Sequence, residues 1–281
     1  MRHKARGQIG GSTMATATAN DGKWRRRWRA RGDAGGMDSK LAWLSLALVV
    51  ASIFGALLAG FGTGQGWWSY AEGLKGLLPA FTVAIIGTLI ALFARVFRRG
   101  GKGVSLFAFL LGAAFVAYLG NYARIAKSVP AIHDATTDLQ DPPIFYHLVL
   151  RPDNMDKIPD TDRPGWAALP PLERWRALHA EAYPDLKPLN VALAPKMALA
   201  KAEAVVRASG WAIAAVDQAQ NQVEATATTR FYKFKDDVVV RVRPSGAGSV
   251  IDLRSVSRVG LSDLGANAER IRIFQSRMAQ P

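Results

Sequence analysis

Three apolar stretches, whose interiors carry no charged side chain, occupy the first 125 residues, and a polar stretch follows them. They lie at about residues 41–61, 77–95 and 103–123. A helix rises about 1.5 Å per residue, so about 20 residues cross a hydrocarbon layer of roughly 30 Å. These stretches also lack the polar stripe of a helix in a soluble protein. The pattern predicts three transmembrane helices within residues 41–125.

The positive charge is concentrated around these stretches. The chain has 36 Lys and Arg against 22 Asp and Glu, a net charge of +14. Residues 1–127 hold 17 of the basic residues and 4 of the acidic ones, a net of +13, which leaves +1 for the remainder. Because the surplus flanks the apolar stretches, it does not indicate a nucleic-acid partner, and the bilayer is the expected partner.

The basic residues also predict an orientation. They precede the first span and lie between the second and third: Lys23, Arg25, Arg26, Arg27, Arg29, Arg31, Lys40, Arg95, Arg98, Arg99 and Lys102. Cytoplasmic loops are enriched in Lys and Arg. We therefore expect residues 1–40 to form a basic, disordered cytoplasmic tail in a bacterial inner membrane. Three crossings then place residues 126–281 outside the cytoplasm, as a periplasmic domain, with Trp67, Trp68 and Tyr70 in an aromatic belt on that side.

Composition excludes several classes of function. The spans contain no ionisable residue between their flanks, which argues against a pump, a proton-coupled carrier or an ion channel. The chain has no cysteine, so disulfides and thiolate chemistry are absent.

The polar stretch predicts an α+β domain. Residues 128–194 are rich in proline and are expected to be mostly irregular, apart from a helix at Leu172–Ala182. A second helix begins at Pro195 and ends before Gly210, and a third runs near Leu264–Met278, capped by Ser262 or Asp263. Four strand-like segments lie between these helices: Trp211–Val216, Gln222–Phe234, Asp237–Arg243 and Ser249–Val259. We expect an antiparallel sheet of about four strands with helices on one face.

Period-two alternation divides the sheet residues between two faces. The face expected under the helices carries Val223, Ala225, Ala227, Phe231, Val238, Val240, Val242, Ile251 and Leu253. The other face carries Glu224, Thr226, Thr228, Asp252 and five arginines: Arg230, Arg241, Arg243, Arg254 and Arg258. Arginine forks bind carboxylates and phosphates, so these five are candidate ligands for an anionic lipid, a glycan acid or an acidic loop of a protein partner. The alternative is a solvated face with cross-strand pairs such as Asp252 to Arg241 or Arg243.

Candidate catalytic chemistry is confined to one short segment. His133, Asp134, Asp138 and Asp141 offer an imidazole and three carboxylates for acid–base work or a divalent cation. The alternative is that these aspartates form turn hydrogen bonds before Pro142. A second acidic run, Asp153, Asp156, Asp160 and Asp162, departs from the spacing of a calcium-binding loop. We predict no metal site and no cofactor.

Ordered motifs through the polar stretch resemble an uncharacterised bacterial and plastid family known as domain of unknown function 1499. The resemblance covers about Ile132–Ile273 and rests on these pieces: Ile132-His133-Asp134, Thr137-Asp138, Asp141-Pro142-Pro143, Tyr183-Pro184-Asp185-Leu186, residues 224–228, residues 234–242, residues 252–260 and residues 262–267. It implies a small α+β domain, often exported or fused to membrane spans, with no assigned activity. It supplies no catalytic residues to carry over.

Two functional hypotheses follow. The first is a membrane-anchored, non-enzymatic envelope protein whose α+β domain binds an anionic ligand or a protein partner through the arginine-bearing face. The second is an extracytoplasmic hydrolase or metal-dependent enzyme that uses His133 and the nearby aspartates.

The predicted orientation is testable with reporter fusions. A reporter enzyme that is active only outside the cytoplasm should work when it is fused after Pro281, because three crossings follow a cytoplasmic N-terminus. A reporter active only in the cytoplasm should fail at the same position. Activity of the cytoplasmic reporter there would overturn the orientation.

Overall fold

The computed structural model describes residues 14–98, 100–156, 158–159 and 163–280. The chain divides into two compact units. The first comprises Met1–Ala56 and Leu78–Ala117, and the second comprises Leu57–Leu77 and Tyr118–Pro281.

Three helices are long and apolar enough to cross a membrane, as the sequence predicts. The candidate spans are Ser39–Gly64, Tyr70–Phe97 and Lys102–Ser128. The first span is the C-terminal part of α1 (Met14–Gly64), and the third is α4 (Lys102–Ser128). The second span contains two consecutive helices, α2 (Tyr70–Lys75) and α3 (Leu77–Phe97). Residues 14–40, where we expect a disordered tail, have helical backbone as the start of α1. Residues 1–13 lie outside the described residues, so disorder of that part of the tail stays a prediction. Arg99, one of the basic residues between the second and third spans, also lies outside them.

Small residues allow the helices of the first unit to approach closely. Gly87 of α3 faces α1, and a Cβ atom added there would lie 3.0 Å from Cγ2 of Val49. Gly112 of α4 faces α3, and a Cβ atom there would lie 2.2 Å from Oγ1 of Thr88. Helices in a bilayer gain stability by such close packing, because lipid supplies no hydrophobic driving force between them.

The polar domain is built on an antiparallel sheet of six strands, two more than we expected. The strands are β1 (Asp134–Thr136), β2 (Leu189–Val191), β3 (Ala212–Asp217), β4 (Gln222–Thr228), β5 (Lys235–Ser245) and β6 (Gly248–Ser257). Their order is β1-β6-β5-β4-β3, and β2 also pairs with β6. The two additional strands, β1 and β2, lie in the stretch that we expected to be irregular. Each has three residues, which are too few to show a periodicity in the sequence.

Strand β4 is shorter than predicted. It ends at Thr228, and residues 229–234 form the turn to β5. In that turn the Thr229 amide donates to the Phe234 carbonyl, and the Phe234 amide donates to Oγ1 of Thr229. The predicted inward position of Phe231 is therefore wrong. This residue lies in the turn and is 43% exposed.

The remaining predicted inward residues are confirmed. Val223, Ala225, Ala227, Val238, Val240, Val242, Ile251 and Leu253 all belong to the hydrophobic core. Three helices contribute to that core: α5 (Pro171–Ala182), α6 (Pro195–Ala208) and α7 (Ala266–Ala279). Trp175 of α5, Leu199 of α6 and Phe274 of α7 are among its largest buried side chains.

Helix α7 begins two residues later than predicted. Its N-cap residue is Gly265, with φ of 83°, rather than Ser262 or Asp263. The Asp263 carboxylate still accepts hydrogen bonds from the Gly265 and Asn267 amides, at 2.9 and 2.7 Å. Asp263 therefore satisfies the first amide groups of the helix from outside the cap position.

Candidate functional site

The arginine-bearing face of the sheet is covered by residues 134–149, which we call the cover segment. It begins as strand β1, beside β6, and continues across β5 and β4. Side chains of the sheet donate to its carbonyl groups: Arg241 to Asp141 at 2.8 Å, and Gln222 to Ile144 at 3.0 Å. Where the cover segment crosses it, this face is therefore covered rather than solvated. Irregular backbone over a sheet needs hydrogen-bond partners, and the polar side chains of this face supply them.

Two of the candidate arginines lie in a cluster with three carboxylates. Arg241 contacts Asp141 at 3.0 Å and Asp252 at 3.2 Å. Arg243 contacts Asp138 at 3.0 Å and Asp252 at 2.7 Å. The predicted cross-strand pairs with Asp252 are thus present, and the cover segment adds Asp138 and Asp141. The cluster has two positive and three negative charges, so it has no surplus of positive charge for an external anion.

A third candidate arginine forms a buried ion pair with the start of the cover segment. Arg254 donates to both oxygens of Asp134, from Nε at 3.0 Å and from Nη2 at 2.7 Å. Asn154 donates to the same carboxylate at 2.7 Å, and Trp175 donates to the Asp134 carbonyl at 2.9 Å. A bidentate pair with further hydrogen bonds is the arrangement in which two buried charges offset their lost hydration.

Glu224 holds the far end of the cover segment. Its carboxylate is buried and accepts hydrogen bonds from three consecutive amides, those of Tyr146, His147 and Leu148, at 2.6, 3.0 and 2.6 Å. Gln222 donates to it at 3.0 Å. The carboxylate replaces the backbone partners that a strand would have given these amides, so the loop is held in one conformation.

The second half of the cover segment exposes three large apolar side chains. Ile144 and Tyr146 are each 53% exposed, and Val149 is 86% exposed. These three apolar side chains are exposed beside polar ones such as Asp141 and His147, whose side chains are 68% and 45% exposed.

The two other candidate arginines lie away from this cluster. Arg258 contacts Asp237 at 2.8 Å. Arg230 is exposed in the turn after β4 and has no ion pair with any residue that the structure describes.

The four candidate catalytic residues are not brought together. Asp138 and Asp141 lie with Arg241 and Arg243, and Asp134 lies with Arg254. His133 is buried elsewhere, with Nδ1 3.4 Å from the Leu261 carbonyl. Asp138 also accepts from the Gln140 and Asp141 amides, as in the predicted turn.

No group of three His, Asp or Glu side chains that could hold a metal ion occurs within the described ranges. Asp160 and Asp162 of the second acidic run lie outside those ranges.

A second polar network, which the sequence analysis missed, joins the sheet to α7. Asn267 is buried, with Oδ1 2.6 Å from Oγ of Ser255 and Nδ2 donating to Oγ of Ser257 at 2.9 Å. Arg270 donates to Asp236 at 2.6 Å. Ser255, Ser257 and Asn267 occur in the motifs that carry the family resemblance, and this network gives them a structural role.

His179 was also missed, because a single histidine on a helix carries no sequence signal. Its Nε2 accepts from the Thr136 amide at 3.0 Å, so it supports the end of β1. Burial lowers the pKa of His179 to about 4, and the charges of Asp134 and Asp185 only partly oppose this effect. The imidazole is therefore neutral at pH 7.

Removing the cation of the buried ion pair should destabilise the domain. Arg254→Met leaves the Asp134 carboxylate buried without its partner, which should lower the free energy of unfolding by about 3–5 kcal/mol. Urea denaturation of the full chain in detergent, followed by tryptophan fluorescence, measures this change. The double variant Asp134→Asn/Arg254→Met should recover most of the loss, and Arg230→Met should stay within about 0.5 kcal/mol of the parent. An Arg254→Met protein as stable as the parent would contradict the role of this pair.

His179 should make the stability depend on pH. Its folded pKa of about 4 lies below the usual value of 6.5 for histidine, so the unfolded chain binds a proton first as pH falls. Stability should therefore fall as pH decreases from about 6.5 to 4, by about 3 kcal/mol from this residue. In His179→Gln the amide oxygen can still accept from Thr136, and that part of the pH dependence should disappear. His147→Gln, an exposed control, should keep it, and an unchanged slope in His179→Gln would exclude this residue as the cause.

The family comparison matches the domain that carries these networks. The matching family is described as Protein of unknown function (DUF1499), and the match covers residues 134–278, just over half of the chain. It begins with the first residue of β1 and ends within α7. A search of curated proteins found no match. The chain therefore belongs to the DUF1499 family, whose function is unknown.

Proposed function

We propose that this protein is a membrane-anchored, non-enzymatic envelope protein whose α+β domain binds a protein partner through the outer surface of the cover segment. One observation carries the proposal. The exposed apolar side chains Ile144, Tyr146 and Val149 stand on or beside irregular backbone that the buried Glu224 carboxylate holds in place.

This arrangement has the properties of a binding loop. Aromatic and aliphatic side chains supply most of the binding energy at protein interfaces, and tyrosine is enriched there. A loop that is already held in one conformation loses less entropy when a partner binds. Binding residues are also found preferentially on loops that a rigid scaffold positions.

The charge distribution favours a protein partner over a free anion at this face. An anionic lipid or glycan would have to displace Asp138 and Asp141 from Arg241 and Arg243. The sequence predicted that these arginines could bind an acidic loop of a protein partner. In the structure, Asp138 and Asp141 of the same chain occupy that position instead. The proposed partner surface is instead the group of exposed apolar side chains Ile144, Tyr146 and Val149.

The contacts of the candidate catalytic residues support a non-enzymatic role. Each of the three aspartates is held in an ion pair with an arginine, so its carboxylate is committed to a contact within the domain. His133 lies apart from them at the Leu261 carbonyl. The alternative of a hydrolase or metal-dependent enzyme therefore has no observation in its favour.

The apolar helices support anchoring in a membrane. In a bacterial inner membrane, the flanking basic residues support a cytoplasmic N-terminus and a periplasmic domain.

Site-specific photo-crosslinking in cells tests the partner surface. A photoreactive amino acid at Val149 should give a discrete adduct with another protein, because this side chain is 86% exposed beside Tyr146. The matched control is Met197 of α6, which is apolar and 61% exposed but lies on the helix-covered side of the sheet. No adduct of the same mass should form there.

Two substitutions complete the test. Ile144→Asp with Tyr146→Asp should abolish the adduct at position 149, because charged side chains would replace the apolar contact. The unfolding midpoint should not change, because both side chains are exposed. No adduct at position 149, or an adduct that persists in the double variant, would overturn the proposed surface.

A further inference from the structure

The turn segment between β4 and β5, residues 229–234, packs against the end of the first candidate span. A Cβ atom added to Gly60 would lie 2.2 Å from Cε1 of Phe231. One added to Gly64 would lie 2.9 Å from the Phe231 carbonyl oxygen. Both glycines belong to the span Ser39–Gly64 and to the same compact unit as the turn segment. The absence of side chains at these positions is therefore what lets the turn segment reach the helix.

Aromatic rings surround this contact. Phe234 lies 5.0 Å from Tyr70 and 5.2 Å from Tyr232, measured between ring centroids. Phe61 of the span contacts Trp67 at 5.5 Å. The aromatic belt predicted from Trp67, Trp68 and Tyr70 is thus extended by rings from the turn segment. Such rings are enriched where hydrocarbon meets the lipid headgroups.

The position of Gly60 along the span indicates the depth of the turn segment. The span has 26 residues, which correspond to about 39 Å of helix, whereas the hydrocarbon layer is roughly 30 Å thick. Four residues, or about 6 Å, separate Gly60 from the end of the helix at Gly64. Gly60 therefore lies near the boundary between acyl chains and headgroups when the span is centred in the bilayer.

The side chains of the turn segment fit that boundary. Phe231 touches the helix on one side yet stays 43% exposed. Arg230 precedes it and is exposed, and Lys233 follows it with its Cγ atom near Gly64. The apolar ring of Phe231 suits contact with acyl chains. The cationic side chains of Arg230 and Lys233 on either side of it suit contact with lipid phosphates.

We propose that the turn segment is a membrane-contacting element, with Phe231 at the acyl-chain boundary and Arg230 at the level of the lipid phosphates. This inference rests on the proposed membrane anchoring. It gives Arg230 a ligand of its own, the phosphates of the bilayer, separate from the partner surface on the cover segment.

Fluorescence quenching in vesicles tests the inference. The chain has no cysteine, so single cysteines can be labelled with an environment-sensitive dye without further changes. The full chain is reconstituted in vesicles of phosphatidylcholine and phosphatidylglycerol that contain a nitroxide-labelled lipid. A dye at Phe231→Cys should be quenched by the nitroxide lipid. Phe54→Cys, which is exposed within the span, is the membrane control, and Val149→Cys is the aqueous control, quenched only by iodide.

The two controls separate the possible failures. If the dye at position 54 is not quenched by the lipid, the membrane anchoring itself is wrong, and this inference fails with it. If position 54 is quenched but position 231 behaves like position 149, the anchoring stands and the inference is overturned.

A matched glycine pair tests how the turn segment is held. Gly60→Val should displace the turn segment and reduce lipid quenching at position 231 by at least half. Gly55→Val places the same side chain on the same helix, where an added Cβ atom meets nothing within 4 Å, and quenching should not change. If Gly60→Val does not fold, Gly60→Ala makes the smaller change and should still reduce quenching. Equal quenching in the Gly60 and Gly55 variants would overturn the contact as the cause.

Discussion

The antiparallel pairing of β1 with β6, closed by the buried ion pair between Asp134 and Arg254, is the constraint on which the rest of the domain depends. It places residues 134–136 at the edge of the sheet, beside β6, which forms the longest strand pairing of the sheet with β5. From that edge the cover segment crosses β5 and β4 and places Asp138 and Asp141 against Arg241 and Arg243. A buried pair of charges tolerates little displacement, because either charge alone would be strongly destabilising.

The second face of the sheet shows how an irregular segment can be buried. Regular elements satisfy their own amides and carbonyls, whereas irregular backbone needs partners from elsewhere. Here Arg241 and Gln222 donate to carbonyl groups, and Glu224 accepts from three consecutive amides. The polar residues of this face therefore do for the cover segment what a neighbouring strand would otherwise do. That internal use of charge leaves Ile144, Tyr146 and Val149 exposed, and these are the residues of the proposed partner surface.

The membrane-associated helices depend on a different property, the absence of side-chain volume at particular positions. Gly87 and Gly112 allow close helix packing within the first unit, while Gly60 and Gly64 accept the turn segment within the second. Close packing of this kind is local and directional. The same residue type thus has two uses along one chain, and Gly55, which meets nothing within 4 Å, has neither.

The sequence by itself determined the features that depend on local periodicity. Apolar length identified three long helices, and period-two alternation identified the inward residues of β4, β5 and β6, such as Val223, Val240 and Leu253. These signals are local because a helix or strand exposes its faces at a fixed spacing. Only the tertiary structure decided that β1 and β2 join the sheet, that Phe231 leaves it, and that the arginine face is covered. The pairing of β1 and the covering of the arginine face join residues far apart in the chain, such as Asp134 and Arg254, which are 120 positions apart, and a contact at that distance leaves no periodic trace in either segment.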